Sequence, residues 1–222
     1  MKLGKSYDSL YYELLLSFKN LKSKKKYSLL YPIIGEKYSK SKLLICGRSC
    51  NGWINTWKIN DIDANINTII KESKNISCNT WSEEEMSKYS SFWRFTKNII
   101  TNYYKVNSSD WTQYFTWSNI MKISPATGGN PSDDEFNQQI GICKKILKYE
   151  IDILKPKYCI LLTGWDWSYD FIESLGFEPI VKPNKIIVKG VYDYKKTRII
   201  VTGRPEYKSS LKFLNSVMKY MS

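Results

Sequence analysis

Apolar side chains recur every three or four positions in several stretches of the chain. Residues 7–21 have this spacing, which predicts an amphipathic helix near the start of the sequence. The clearest helix start is at Ser132, because Glu135 follows three residues later and the two form a capping-box pattern. The stretch 60–79 is ambiguous. Further helices are predicted over 82–104, 132–154, 168–175 and 208–221.

Short apolar runs alternate with these helices and predict strands that are buried on both faces. In chain order they lie at 42–47, 113–121, 158–163 and 198–202, with a strand at 186–194 leading into the last of them. The alternation predicts an α/β fold with a three-layer α/β/α architecture and a central four-stranded, mostly parallel sheet. We expect a single domain over 1–222, with residues 1–41 as a helical N-terminal extension packed on it.

Glycines mark the ends of three predicted strands, at Gly47, Gly164 and Gly203. In sheets of this kind, ligands bind beyond the carboxyl ends of the strands. Functional residues are therefore expected in the loops that follow the strands. These loops are 48–57, 119–131, 165–167 and 204–210.

The chain of 222 residues contains no histidine. A Ser-His-Asp triad, a histidine-ligated zinc site and an imidazole general base are therefore excluded. Acid–base chemistry would fall to carboxylates, Cys, Tyr, Lys or bound water. The five cysteines are scattered without a CxxC pair, so we expect neither a disulfide framework nor a metal site, and a reducing cytoplasm fits them best.

Basic residues exceed acidic ones, with 34 Lys and Arg against 21 Asp and Glu and a net charge of +13. This surplus favours a polyanionic partner such as nucleic acid. Codon bias in an AT-rich genome is the alternative, but such a bias would favour Asp and Glu as well as Lys. The basic run Lys22–Lys26 is interpreted either as a solvated loop or as a phosphate contact. No apolar run approaches the roughly 20 residues that span a bilayer, so no membrane partner is expected.

The segment that follows the second predicted strand carries the most informative pattern. It places Asn119 at a strand end, then Lys122 and Pro125, then a turn rich in proline and glycine that leads into a capped helix. These three residues fit the spacing N-x-x-K-x-x-P, and the pattern continues through a helix–Pro–strand–Gly run over 150–164. The arrangement resembles the uracil-DNA glycosylase superfamily, nearest to its family four, over residues 42–222.

The resemblance implies a uracil-DNA glycosylase-like fold and a definite chemistry. Such an enzyme flips a base out of the DNA stack and reads it in a pocket. Breaking the N-glycosidic bond builds positive charge on the sugar and negative charge on the departing base. The matching asparagine of the family reads the base edge, so Asn119 is expected to bind the base and to take part in catalysis. The alternative is an asparagine that hydrogen-bonds to the backbone of its own loop.

The first family motif is a strand that ends in glycine, followed by a loop that positions water. Ser49 stands where the family has a water-activating carboxylate, and Asn51 is the candidate to position water instead. Either leaving-group stabilisation dominates, or a carboxylate such as Asp61 or Asp63 supplies the base, or activity is lost. Trp53 is the preferred stacking residue for the base, with core packing as the alternative. The residues that the resemblance places around base and water are Gly47, Arg48, Ser49, Cys50, Asn51 and Trp53.

The closing family motif is commonly His-Pro, and Arg204 with Pro205 occupies its position. A guanidinium cannot shuttle protons, but its permanent charge stabilises an anionic leaving base or holds a phosphate. A surface arginine beside a turn is the alternative. The resemblance implies DNA contacts at Lys122, Pro125, Asn130, Gly164, Trp165, Pro205, Ser209 and Ser210.

The expected activity is that of a monofunctional DNA glycosylase that leaves an abasic site and uses no metal or cofactor. Its target is uracil, a damaged base or a hypermodified pyrimidine such as phage-modified cytosine, in repair or in phage defence. The iron–sulfur cluster that is common in family four is not expected, because the CxxC pair is absent. We expect a monomer with duplex or single-stranded DNA as its partner. The rival interpretation is a catalytically inactive member of this fold that binds DNA or a partner protein.

Overall fold

The structure is a computed structural model of the chain. It describes residues 4–50, 52, 55–76, 88, 90–177, 179–181, 186–206 and 210–221. The chain divides into two compact units, each described by itself below. The first unit comprises Met1–Ile33, Arg48–Ile76 and Ser118–Ile153, and the second comprises Ile34–Gly47, Ser77–Trp117 and Leu154–Ser222.

The described α-helices are α1 (Lys5–Phe18), α2 (Tyr38–Ser41), α3 (Ile62–Lys74), α4 (Ser91–Tyr103), α5 (Asp133–Leu154), α6 (Trp165–Leu175) and α7 (Ser210–Met218). The described strands are β1 (Lys26–Leu29), β2 (Ile33–Ile34), β3 (Leu43–Gly47), β4 (Thr56–Lys58), β5 (Phe115–Asn119), β6 (Ile123–Pro125), β7 (Tyr158–Leu161), β8 (Pro179–Val181), β9 (Val188–Tyr194) and β10 (Thr197–Thr202).

The first unit contains a three-stranded antiparallel sheet with the order β4-β1-β6. Tyr27 of β1 stands opposite Trp57 of β4, and their ring centroids are 5.4 Å apart. Phe18 at the end of α1 packs on both rings, with centroid distances of 5.6 Å and 6.4 Å. These aromatic contacts bury the inner face of the sheet against α1 and hold its strands in register.

The start of α5 is held by the predicted capping box. The backbone N–H of Ser132 donates to Glu135 Oε2 over 2.8 Å, and the N–H of Glu135 donates to Ser132 Oγ over 3.4 Å. The other carboxylate oxygen of Glu135 accepts from Lys25 Nζ at 3.0 Å and from the Tyr27 hydroxyl at 2.8 Å. The capping box is therefore confirmed, and the same carboxylate also ties α5 to β1.

The larger sheet has seven strands in the order β2-β5-β3-β7-β10-β9-β8. Strands β3, β7 and β10 run parallel, whereas β9 and β8 run antiparallel to their neighbours. The α/β class is confirmed, with a mixed sheet that contains parallel strands, and the prediction of four strands is wrong. Uninterrupted apolar runs reveal only strands that are buried on both faces, whereas β2 and β8 are edge strands of two and three residues.

Most predicted helices are present with small shifts at their ends. The ambiguous stretch 60–79 contains α3. For the helix predicted over 82–104, residues 81–87 and 89 lie outside the described residues, and α4 begins after Ser90, whose hydroxyl accepts the N–H of Trp93 at 3.5 Å. The segment 1–41, expected to be helical, contains β1 and β2 as well as α1 and α2.

None of the described helices is long and apolar enough to cross a membrane. Across the same residues, no cluster of three or more cysteine or carboxylate side chains is placed to hold a metal ion. Cys78 lies outside the described residues. The described cysteines, Cys46, Cys50, Cys143 and Cys159, are all buried.

Candidate functional site

Asn119 lies at the carboxyl end of β5 with its side chain buried. The residue is 1% exposed, and within the described part of the chain neither its Oδ1 nor its Nδ2 has a hydrogen-bond partner. The interpretation in which Asn119 hydrogen-bonds to its own loop is therefore wrong. A buried amide without partners costs free energy, and such groups are rare in native proteins. A ligand that offers a donor and an acceptor together would remove this cost.

Ser118 and Lys122, which lie on either side of Asn119 in the chain, are paired around one carboxylate, Glu150 of α5. Lys122 Nζ donates to Glu150 Oε1 at 2.7 Å and to Ser118 Oγ at 2.6 Å. Ser118 Oγ lies 3.0 Å and 2.9 Å from the two oxygens of Glu150, and the Tyr7 hydroxyl donates to Glu150 Oε1 at 2.5 Å. All four residues are fully buried. We call Tyr7, Ser118, Lys122 and Glu150 the Glu150 network.

The Glu150 network changes the role of Lys122. Its side chain has no exposed surface, and its ammonium is held by the carboxylate of Glu150 and the hydroxyl of Ser118. The prediction that Lys122 contacts DNA is therefore wrong, because a buried and paired ammonium does not reach a phosphate on the surface. Burial raises the pKa of the Tyr7 hydroxyl well above its ordinary value, and the Glu150 carboxylate raises it further, so Tyr7 stays a neutral donor.

The backbone after Asn119 is held by Gln139 of α5. Gln139 Oε1 accepts from the N–H groups of Lys122 and Ile123 at 3.2 Å and 3.0 Å, and its Nε2 donates to Ile123 O at 2.9 Å. The carbonyl of Lys122 accepts from the N–H of Leu30 at 2.8 Å. The chain on both sides of the Asn119 amide is thus fixed, although the amide itself is unpaired.

The loop after β3 contacts the turn after β6. Ser49 Oγ lies 3.4 Å from Gly129 O and 3.5 Å from Asn130 Oδ1. Gly52 has a φ of +80°, and a Cβ there would lie 2.3 Å from Ala126 O, so only glycine fits this approach. The structure thus brings Ser49 and the exposed Asn130 together. Asn51 and Trp53 lie outside the described residues.

Other predicted contacts of this region are occupied by the protein itself. Cys50 is fully buried, and its thiol points at the carbonyls of Lys122 and Ser28 at 3.4 Å and 3.8 Å. Burial raises the pKa of the Cys50 thiol to about 11. Pro125 is buried in β6 opposite Tyr27. Neither side chain reaches the surface in this structure, and the base contact at Cys50 and the DNA contact at Pro125 stay predictions.

In the second unit, Gly47, Gly164 and Trp165 lie at or just after the carboxyl ends of parallel strands. Gly47 ends β3 and is buried, and Gly164 follows β7 and donates its N–H to Thr202 O of β10 at 2.9 Å. Trp165 begins α6, is half-buried, and packs near Tyr169 with a centroid distance of 5.8 Å. Arg48 belongs to the first unit and is half-buried. Its backbone carbonyl accepts a hydrogen bond from the N–H of Met121 at 2.9 Å.

Arg204 follows β10 and is paired with a carboxylate that the sequence analysis missed. Its Nε and Nη2 donate to Glu206 Oε1 over 3.0 Å and 2.5 Å. Glu206 Oε2 is shielded from solvent and has no hydrogen-bond partner within the described residues. The first motif directs attention to Asp61 and Asp63, whereas the sequence signal for this pair is the acidic residue two positions after Arg204.

The other residues near Arg204 are less constrained. Pro205 is half-buried, Ser210 is exposed at the start of α7, and Ser209 lies outside the described residues.

In comparisons with known proteins, no family model matches this chain, and no curated protein matches it. The family resemblance therefore rests on the motif residues alone.

Proposed function

We propose that the protein is a DNA glycosylase that hydrolyses the N-glycosidic bond of a flipped, non-standard base and leaves an abasic site. The observation that carries this proposal is the Asn119 amide, which is buried and unpaired at a strand end. The proposal includes the uracil-DNA glycosylase-like fold and a target among uracil, damaged bases and hypermodified pyrimidines.

The chemistry of a pyrimidine edge suits the Asn119 amide. The edge of uracil offers a ring N–H beside a carbonyl, which matches the acceptor and the donor that one amide presents. Because the amide atoms have almost no exposed surface, a base reaches them only when neighbouring side chains move. Pairing with the base then removes the cost of the buried, unpaired amide, so that cost favours the correct base over one lacking these groups.

Arg204 is proposed to stabilise the departing base. A guanidinium is a permanent cation, so Arg204 can stabilise negative charge on the base without donating a proton. Glu206 fixes the orientation of this group through the two hydrogen bonds to Oε1. Ser49 and Asn51 remain the proposed residues for water.

The test is incubation with duplexes that carry uracil, damaged bases or hydroxymethylated and glycosylated cytosine, followed by alkali. We expect strand cleavage at one class of base, and we expect Asn119→Ala to lower kcat/KM about 10²-fold or more, by analogy with the loss of a preorganised polar group. Asn60→Ala, which changes an exposed asparagine, is the matched control. Binding of DNA without cleavage of any of these duplexes would favour the inactive member of the fold instead.

A further inference from the structure

The sheet of the first unit sets two exposed lysines side by side. In the pairing of β1 with β4, Lys26 stands directly opposite Lys58, and both are exposed. The next pair inward, Tyr27 and Trp57, is buried. Residues directly opposite each other project from the same face of a sheet, so the two ammonium groups share one surface.

No carboxylate of the described residues forms an ion pair with either of these two ammonium groups. Lys25, their neighbour in the basic run, forms an ion pair with Glu135 at 3.0 Å, whereas neither Lys26 nor Lys58 has an ion-pair partner there. Asp61 lies near Lys58, and its carboxylate accepts a hydrogen bond from the backbone N–H of Lys58 at 2.7 Å. This contact involves the backbone of Lys58 and not its ammonium. Like charges directly opposite each other destabilise a strand pair, and a bound anion would reverse that effect.

The lysine pair also lies beside the loops that carry the candidate site of the first unit. The N–H of Ala126 donates to Lys26 O over 2.8 Å, so the turn after β6 begins at the lysine pair. That turn continues to Asn130, which lies 3.5 Å from Ser49. Lys22 and Lys24, both exposed, precede Lys26 in the chain. We call Lys22, Lys24, Lys26 and Lys58 the lysine edge.

We propose that the lysine edge binds the phosphate backbone of duplex DNA and so positions the strand that carries the target base. This inference rests on the proposed glycosylase function, and it gives the basic run Lys22–Lys26 a role. Lysine contacts with phosphates carry no sequence information, so the lysine edge contributes affinity and register rather than choice of base.

The test is DNA binding by the full chain at several salt concentrations, with an undamaged duplex as the probe. Lys26→Gln with Lys58→Gln removes two phosphate contacts, so the slope of log K against log salt is expected to shrink in magnitude by about 1.8. Affinity for all duplex sequences falls together. The matched control is Lys145→Gln with Lys148→Gln, which removes the same charge from exposed positions on α5 and leaves the slope unchanged.

The outcomes separate this proposal from the proposed function. An unchanged slope in the Lys26/Lys58 variant overturns the lysine edge even if the protein excises bases. An equal loss in the Lys145/Lys148 control also overturns it, because net charge alone then explains binding. A reduced slope with no excision of any base supports the lysine edge and rejects the glycosylase. Binding to anionic vesicles that depends on Lys26 and Lys58, with no DNA binding, assigns the surface to a membrane and overturns it.

Discussion

Ser118 and Asn119 are neighbours at the end of β5, yet the side chain of Ser118 is hydrogen-bonded and that of Asn119 has no partner among the described residues. Ser118 belongs to the Glu150 network, in which a lysine, a serine and a tyrosine surround one carboxylate without exposed surface. Asn119 is as deeply buried, but within the described residues both of its amide atoms are unpaired. Burial is therefore equal in the two regions, and hydrogen bonding is what differs.

The difference distinguishes polar groups that are paired within the protein from a buried amide that has no partner among the described residues. A buried ion pair that is fully hydrogen-bonded holds the fold in one arrangement and has no capacity left for a ligand. A buried amide without partners keeps its whole hydrogen-bonding capacity, and its burial lowers stability. Variants at the two regions should therefore change stability in opposite directions.

The largest effect is expected from Glu150→Ala. It leaves the ammonium of Lys122 buried without a counterion, which should lower the free energy of unfolding by about 3–5 kcal/mol. Urea denaturation followed by circular dichroism measures the loss. Replacing both charges with apolar residues, as Lys122→Met with Glu150→Leu, should recover most of it. A double variant as unstable as Glu150→Ala would show that packing, and not charge pairing, governs this region.

Tyr7→Phe is expected to have the next largest effect. It removes a hydrogen bond to a charged carboxylate, which should lower the free energy of unfolding by about 1.5–3 kcal/mol. Tyr11→Phe is the matched control on the same helix, because the Tyr11 hydroxyl donates to the neutral carbonyl of Leu30 at 2.9 Å. Its loss should be smaller, about 1 kcal/mol. Equal losses would contradict a charged role for Glu150.

Asn119→Leu tests the other side of the comparison. Removing an unpaired buried amide should leave stability unchanged or raise it by about 1 kcal/mol, while base excision is lost. Thermal unfolding and the abasic-site assay are measured on the same preparation. Ser118→Ala, one residue earlier, should instead lower stability because it removes a partner of Glu150. A clear loss of stability in Asn119→Leu would mean that the amide is structural.

The smallest effect concerns Glu135, the second buried carboxylate of α5. Burial raises its pKa, but hydrogen bonds from Ser132, Lys25 and Tyr27 outweigh burial, so the pKa of Glu135 lies below its ordinary value of 4.5. Its contribution to stability is then present above pH 4.5 and is lost as the pH falls through its lowered pKa. Urea denaturation at a series of pH values from 7 downwards should show the stability difference between Glu135→Gln and the unchanged protein shrinking as the pH falls below 4.5.

Local signals in the sequence predicted the parts of the fold that depend on neighbours in the chain. The capping box of Ser132 and Glu135 was predictable because both partners lie within one helical turn. The strand over Leu43–Gly47 was predictable because every residue in it is buried. Strand β4 was not, since Thr56–Lys58 alternates around one buried tryptophan and pairs with residues far away in the sequence.

The role of Lys122 shows where sequence reasoning about the candidate site stopped. The spacing of Asn119 and Lys122 drew attention to this loop, but it did not show that the lysine is paired within the protein and that the asparagine is not. Lys122 is paired with Glu150, 28 residues later, and that contact exists only because α5 packs on the loop. The family resemblance implied a DNA contact at Lys122, whereas the tertiary structure places this lysine inside the protein and leaves the Asn119 amide without a partner among the described residues.

The contact between Tyr7 and Glu150 joins residues that are 143 positions apart. During synthesis, α1 therefore leaves the ribosome long before its carboxylate partner exists. Tyr27 is likewise synthesised long before Pro125, its partner in β6. The first unit is consequently expected to complete its fold only after α5 has been synthesised, and nascent chains that end before Glu150 should depend on chaperones to keep the apolar face of α1 from aggregating.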